Sequence, residues 1–245
     1  WYKKQFSDNE KKYFCVLLIL GCFQGFMGWF MVESGLVDKP DVSHFRLSAH
    51  LVTAFVIYAL LLNAFWNNLN KNNHGYTVKN ISKRYGKNLF YLKLSIFMVF
   101  LTISSGAFVS GTNAGWAYNN FPYMGDNFLP PILLDEEIKN LNTLFNDIGF
   151  LQFFHRILAT LSLIIVSITL IGIFKNKVLK NSYKIFILLL LMIFLQYALG
   201  ILALINLVPL SLGLAHQLGS LIVLTLLIIS LNEVKKKGRL NTPNL

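Results

Sequence analysis

Three of the five histidines in this chain of 245 residues, His50, His155 and His216, fall inside apolar segments. There a metal-binding or ionisable side chain marks a functional site by default. Each lies within about the first two helical turns of its segment, so at a rise of about 1.5 Å per residue the three lie at similar depths. A lone histidine at such a place is more simply read as hydrogen-bonded to a neighbouring helix, but three at matched depth on alternate segments favour ligation. Neutral imidazoles from two facing helices can hold a haem iron from both axial sides. His155 and His216 can do so together, whereas His50 has no partner within this chain. Arg46 precedes His50 by one turn on the same face, and Arg156 directly follows His155. Guanidinium is suited to carboxylates such as the two propionates of haem, although each arginine could equally anchor its helix at the interface. No cysteine or carboxylate stands at ligand spacing from these histidines, which disfavours a metal other than haem iron. His74 lies in a basic loop and His44 near the start of a segment, and neither is given a site role. Cys15 and Cys22, about 10 Å apart along one helix, are too distant for a disulfide.

The elements that must position these residues are six apolar segments, at roughly 13 to 32, 47 to 66, 90 to 111, 148 to 174, 183 to 206 and 210 to 231. Each is close to the about 20 residues that cross a bilayer. With 55% hydrophobic and 13% charged residues, a soluble globular fold is excluded. The net charge of +11 does not signal nucleic-acid binding, because of where the charges lie. All 22 basic residues except Lys39, Arg46, Lys139 and Arg156 fall on one side of the segments. The positive-inside rule makes that side cytoplasmic, with both termini of the chain on it. The expectation is an all-α polytopic protein of a bacterial inner membrane.

The longest loop, from about 112 to 147, lies on the other side. Within it Ile138, Leu141, Leu144, Phe145 and Ile148 recur at helical spacing beside Asp135, Glu136, Glu137 and Lys139, which predicts an amphipathic helix on the interface. An internal repeat is also present. Gln24 and Gly28 match Gln196 and Gly200 in a Q-x-x-x-G spacing, and each pair precedes a hairpin into a helix bearing a histidine, His50 or His216. If each half holds four helices, residues 90–245 form one complete four-helix bundle. Residues 1–89 then supply the last two helices of a pseudosymmetric second one, plus a cytoplasmic linker. The first residue is Trp1, and two further helices are expected upstream. Gly25, Gly28, Gly106, Gly111, Gly200, Gly213 and Gly219 would let backbones approach one another or a flat macrocycle closely.

The motifs FQGFMGWFMVESGLV, VSHFRLSAHL, SGAFVSGTNAGWAYNNFPYMGDNFLPP, LQFFHRILA and LQYALGILALINLVPLSLGLAHQ resemble, in order and over nearly the whole chain, those of heme A synthases of the proteobacterial and mitochondrial type. The resemblance implies an eight-helix enzyme of two pseudosymmetric halves. It would oxidise the C8 methyl of heme O to a formyl group, giving heme A for cytochrome c oxidase, by successive hydroxylations. It further implies haem b (heme B) held by His155 and His216, and substrate haem met by His50. The helices absent from this chain would carry a second substrate-side histidine and a glutamate implicated in catalysis, so this polypeptide alone is expected to be inactive. Heme O synthase, an electron donor, cytochrome c oxidase assembly and membrane lipid are the implied partners, no nucleic acid is, and a homo-oligomer stays open. Glu33 and Phe45 depart from the pattern, standing where relatives often show lysine and tyrosine. The reading that competes with the enzyme is a diheme b-type membrane electron carrier. A structural or assembly subunit without haem is a third.

Overall fold

The fold follows from the need of a chain in lipid to satisfy its backbone hydrogen bonds internally, which leaves helices as the spanning element for apolar runs of this length. In the computed structural model, which describes residues 7–35, 42–69, 83–134, 140–175 and 177–240, these runs form long helices: α1 (Asp8–Val32), α2 (His44–Leu69), α3 (Lys83–Gly111), α5 (Ile148–Phe174), α6 (Tyr183–Ile205) and α7 (Leu210–Leu240). A short α4 (Leu141–Asn146) precedes α5, and no strand occurs among the described residues. All six long helices are long and apolar enough to cross a membrane, and the chain is a multi-pass membrane protein.

The helix ends differ from the apolar boundaries for local reasons. α1 starts a turn or more before its apolar run because Ser7 and Glu10 form a capping box, each side chain bonded to the other's backbone N–H. α7 runs on past its apolar run through Lys235, Lys236 and Lys237. The amphipathic helix expected from Ile138 to Ile148 is shorter and ends earlier. Asn140 caps α4, and Asp147 caps α5 by accepting from the Phe150 N–H, so Ile148 opens the spanning helix instead. Asp135, Glu136, Glu137, Ile138 and Lys139 lie outside the described residues, as do Lys3, Lys4, Asp38, Lys39, Asp41, Lys71, His74 and Lys79.

α3, α5, α6 and α7 pack as a closed ring, α3 on α5, α5 on α6, α6 on α7 and α7 on α3. α2 lies against α3 and α7, with α1 on its other side. Hydroxyls stitch the α3–α5 seam: Ser105 meets His155, Thr102 meets Ser162 at 2.8 Å, and Ser95 meets Thr169 at 3.1 Å. In lipid, where apolar burial gives helices no reason to associate, such bonds and close packing hold the bundle. α2 is joined to its neighbours in the same way, through Ser48–Ser104, Tyr58–Thr225 at 2.7 Å and Asn63–Asn232.

The two ends of the four-helix ring differ. Toward the end that bears the basic loops, Tyr85, Leu92, Val166, Leu170, Phe186, Leu189, Leu224 and Leu227 are fully buried and fill the interior. Toward the other end the interior opens into a cavity of about 590 Å³.

Candidate haem-binding site

His155 and His216 both reach this cavity from within the first turns of α5 and α7. Their rings face each other with centroids 6.4 Å apart and planes at 85°. Each ring rests on a glycine of the neighbouring helix. A Cβ on Gly106 would stand 3.1 Å from His155 Cε1, and one on Gly200 would stand 2.9 Å from His216 Cε1, so neither ring could keep its place above a larger residue. The same pairing recurs outside the ring of four, where a Cβ on Gly28 of α1 would stand 3.2 Å from His50 Cε1 of α2. The structure therefore brings His155 and His216 together, whereas His50 is not on the cavity wall. α2 contributes Leu47, Leu51 and Phe55 there instead. Of the other glycines singled out from sequence, Gly111 backs His44 and Gly219 lies against the Gln196 amide. Gly25 has nothing within 4 Å, and Gly213 meets only Val208 at 4.0 Å.

Hydrogen bonding sets which nitrogen of His155 keeps a lone pair. Ser105 Oγ donates to the Thr102 carbonyl at 2.8 Å and lies 2.9 Å from His155 Nδ1. A hydroxyl has one hydrogen and a carbonyl can only accept, so both contacts are satisfied together only if Nδ1–H donates to Ser105. Nε2 then keeps its lone pair free for a metal. Sequence reading missed Ser105. Its signal was adjacency to Gly106, which reads as small-residue packing.

The arginines are held by backbone. Arg46 Nη1 donates to the Phe30 carbonyl at 2.8 Å, and its guanidinium lies 3.8 Å over the Phe30 ring. Arg156 donates to the carbonyls of Tyr118 at 2.9 Å and Tyr123 at 3.0 Å, and to Gln152 Oε1 at 3.1 Å. It thereby fastens the long loop over the cavity. Gln152 adds a bond to the Tyr118 carbonyl, while Asn119 and Trp116 tie the loop to the carbonyls of Leu204 and Leu207 at the α6–α7 hairpin. The one Arg156 donor without a partner is the buried Nε–H, on a residue of the cavity wall.

These residues fit a bis-imidazole haem. A metal–imidazole bond is about 2 Å, so two such bonds plus the half ring beyond each nitrogen come close to the observed centroid separation. The cavity volume is within the range of about 300–1,000 Å³ usual for cofactor sites, and its wall is mostly apolar. Among the described residues no three His, Cys, Asp or Glu side chains gather to hold a bare ion, so a metal between these two histidines would draw its remaining ligands from elsewhere, as a macrocycle supplies them.

A family model described as COX15-CtaA, cytochrome oxidase assembly protein, matches residues 1–228. The chain belongs to this family. It is 38% identical over 215 residues to the heme A synthase of Rickettsia prowazekii, which covers 88% of this chain and 61% of that one. Identity to the heme A synthase of Nitrosospira multiformis is 39% over 223 residues, 90% of this chain and 61% of that one. For the heme A synthase of Flavobacterium johnsoniae it is 36% over 239 residues, 96% of this chain and 67% of that one. The chain thus spans less than two thirds of the length of the first two relatives.

Proposed function

We propose that this chain is the haem-b-binding half, with part of the substrate half, of a heme A synthase, the enzyme that oxidises the C8 methyl of heme O to a formyl group to make heme A for cytochrome c oxidase. The observation that carries the reading is the pair His155 and His216, 6.4 Å apart at the cavity with no third such ligand gathered there among the described residues. Support also comes from the relatives, which are heme A synthases along the matched length. Residues 90–245 are the complete half and residues 1–89 the partial one, with His50 and Arg46 presented to substrate haem. The membrane is the bacterial inner membrane, with the basic loops and both termini of this chain on the cytoplasmic side.

When bound, haem b supplies one-electron redox chemistry. The chain's own residues do the rest. His155 offers Nε2 because Ser105 accepts its Nδ1–H, and Gly106 and Gly200 let both rings stand close to their helix backbones. Arg156 fastens the loop over the cavity, and its buried Nε–H, without a partner, is the donor a propionate would engage. The packed core at the basic end shuts the cavity from that side. An external donor must supply electrons, and heme O must come from the synthase that makes it.

The test is the absorbance of the purified chain. It should hold one low-spin b-type haem that is lost in His155→Ala and His216→Ala and kept in His50→Ala. A preparation free of haem would sink the proposal. With the preceding helices restored, extracted pigments should contain heme A, whereas unmodified haem alone would point to the diheme electron carrier.

A further inference from the structure

Two of the buried polar atoms that lack a hydrogen-bond partner stand in equivalent places, Gln24 Oε1 and Gln196 Oε1. Each glutamine lies one turn before the glycine that backs a histidine ring. Its amide nitrogen is already engaged. Gln196 Nε2 donates to the His216 carbonyl at 2.8 Å and lies 3.2 Å from His216 Nδ1. Gln24 Nε2 donates to the His50 carbonyl at 3.1 Å and lies 3.2 Å from His50 Nδ1 and 3.3 Å from its Nε2. The partners are 20 residues apart in one case and 26 in the other. The hairpins differ in length, yet in both the amide nitrogen meets the histidine's own carbonyl and its Nδ1, so the pairing does not follow from a shared local spacing.

A neutral imidazole has one N–H. If Nε2 gives its lone pair to a metal, Nδ1 must carry the hydrogen and needs an acceptor, as Ser105 provides for His155. Beside His216 the matching group is an amide with one end of each kind. Its oxygen is buried and unpaired, a position that costs free energy until it is used. Gly219 borders that oxygen, and a Cβ there would collide with it. The missing side chain leaves the amide room to turn.

We propose that Gln196 is the positioning residue of His216: its amide turns over, exchanging the Nε2 bond to the His216 carbonyl for an oxygen that takes the Nδ1–H, so that Nε2 keeps its lone pair as a more basic ligand. Gln24 stands in the same relation to His50. The proposal rests on the haem reading above.

Redox titration of the haem-loaded chain and two variants separates this role from simple support of the His216 backbone. Gln196→Glu keeps an acceptor and strengthens it, so the midpoint potential falls while the low-spin spectrum is retained. Gln196→Leu removes the acceptor, weakens the ligand and raises the potential. A charge effect alone would lower the first and leave the second unmoved. A Gln196→Leu potential that is unchanged or lower, or loss of haem from Gln196→Glu, would overturn the proposal. Should Gln196→Leu hold no haem, Gly219→Ala crowds the same amide without removing it and must raise the potential instead. A parent chain that binds no haem refutes the haem reading itself, an outcome distinct from haem bound with unmoved potentials.

Discussion

His216 stands on Gly200 so closely that a single added methyl would come within 2.9 Å of its Cε1, while its plane meets that of His155 at 85°. The ring is wedged between a helix backbone and the cavity, so it has one direction in which to yield. Gly200→Ala and Gly106→Ala should each push a ring inward at about 1–3 kcal/mol of overpacking. The expected result is a drop of about tenfold or more in haem affinity, read as haem per protein after titration. Gly25→Ala, with open space around it, should change neither affinity nor stability.

Arg156 binds two loop carbonyls and a glutamine at once through a planar fork. Lysine keeps the charge but not the fork. Arg156→Lys should therefore speed amide exchange across residues 118–123 by about tenfold, consistent with losing bonds to a charged donor worth roughly 1.5–3 kcal/mol. Exchange mass spectrometry of that peptide reads it directly, and unchanged protection would show that Gln152, Asn119 and Trp116 hold the loop without Arg156.

Tyr58 and Thr225 join α2 to α7 by a 2.7 Å hydroxyl bond inside the membrane. A double-mutant cycle with Tyr58→Phe and Thr225→Ala should give a coupling of about 0.6 kcal/mol, the usual size for such bonds in lipid. Unfolding in mixed micelles measures it, and strict additivity would mean that packing alone seats α2.

Orientation can be read with thiol labelling in a background in which Cys15 and Cys22, both free and exposed, are changed to serine. In intact cells a membrane-impermeant reagent should label Asp126→Cys in the long loop and spare Lys87→Cys near the start of α3. The reverse pattern would invert the topology.

The spanning helices were legible because lipid demands long apolar runs, and their ends were less so because caps such as Ser7 and Asp147 add or divide turns without changing the hydropathy. Ile148 shows this well: its spacing fits the amphipathic series, yet Asp147 caps the next helix and takes Ile148 into it. The pairing of His155 with His216 was legible from their common depth. Ser105 was not, since a serine beside a glycine reads as packing. The anchoring of Arg156 was hidden for another reason: its partners are backbone carbonyls of residues more than thirty positions away, which carry no side-chain signature.

Because Arg156 follows His155 directly, the roof of the cavity and one grip on its contents share a single turn of α5. A substitution at either of these two adjacent side chains therefore bears on both the loop and the ring through one peptide unit of α5.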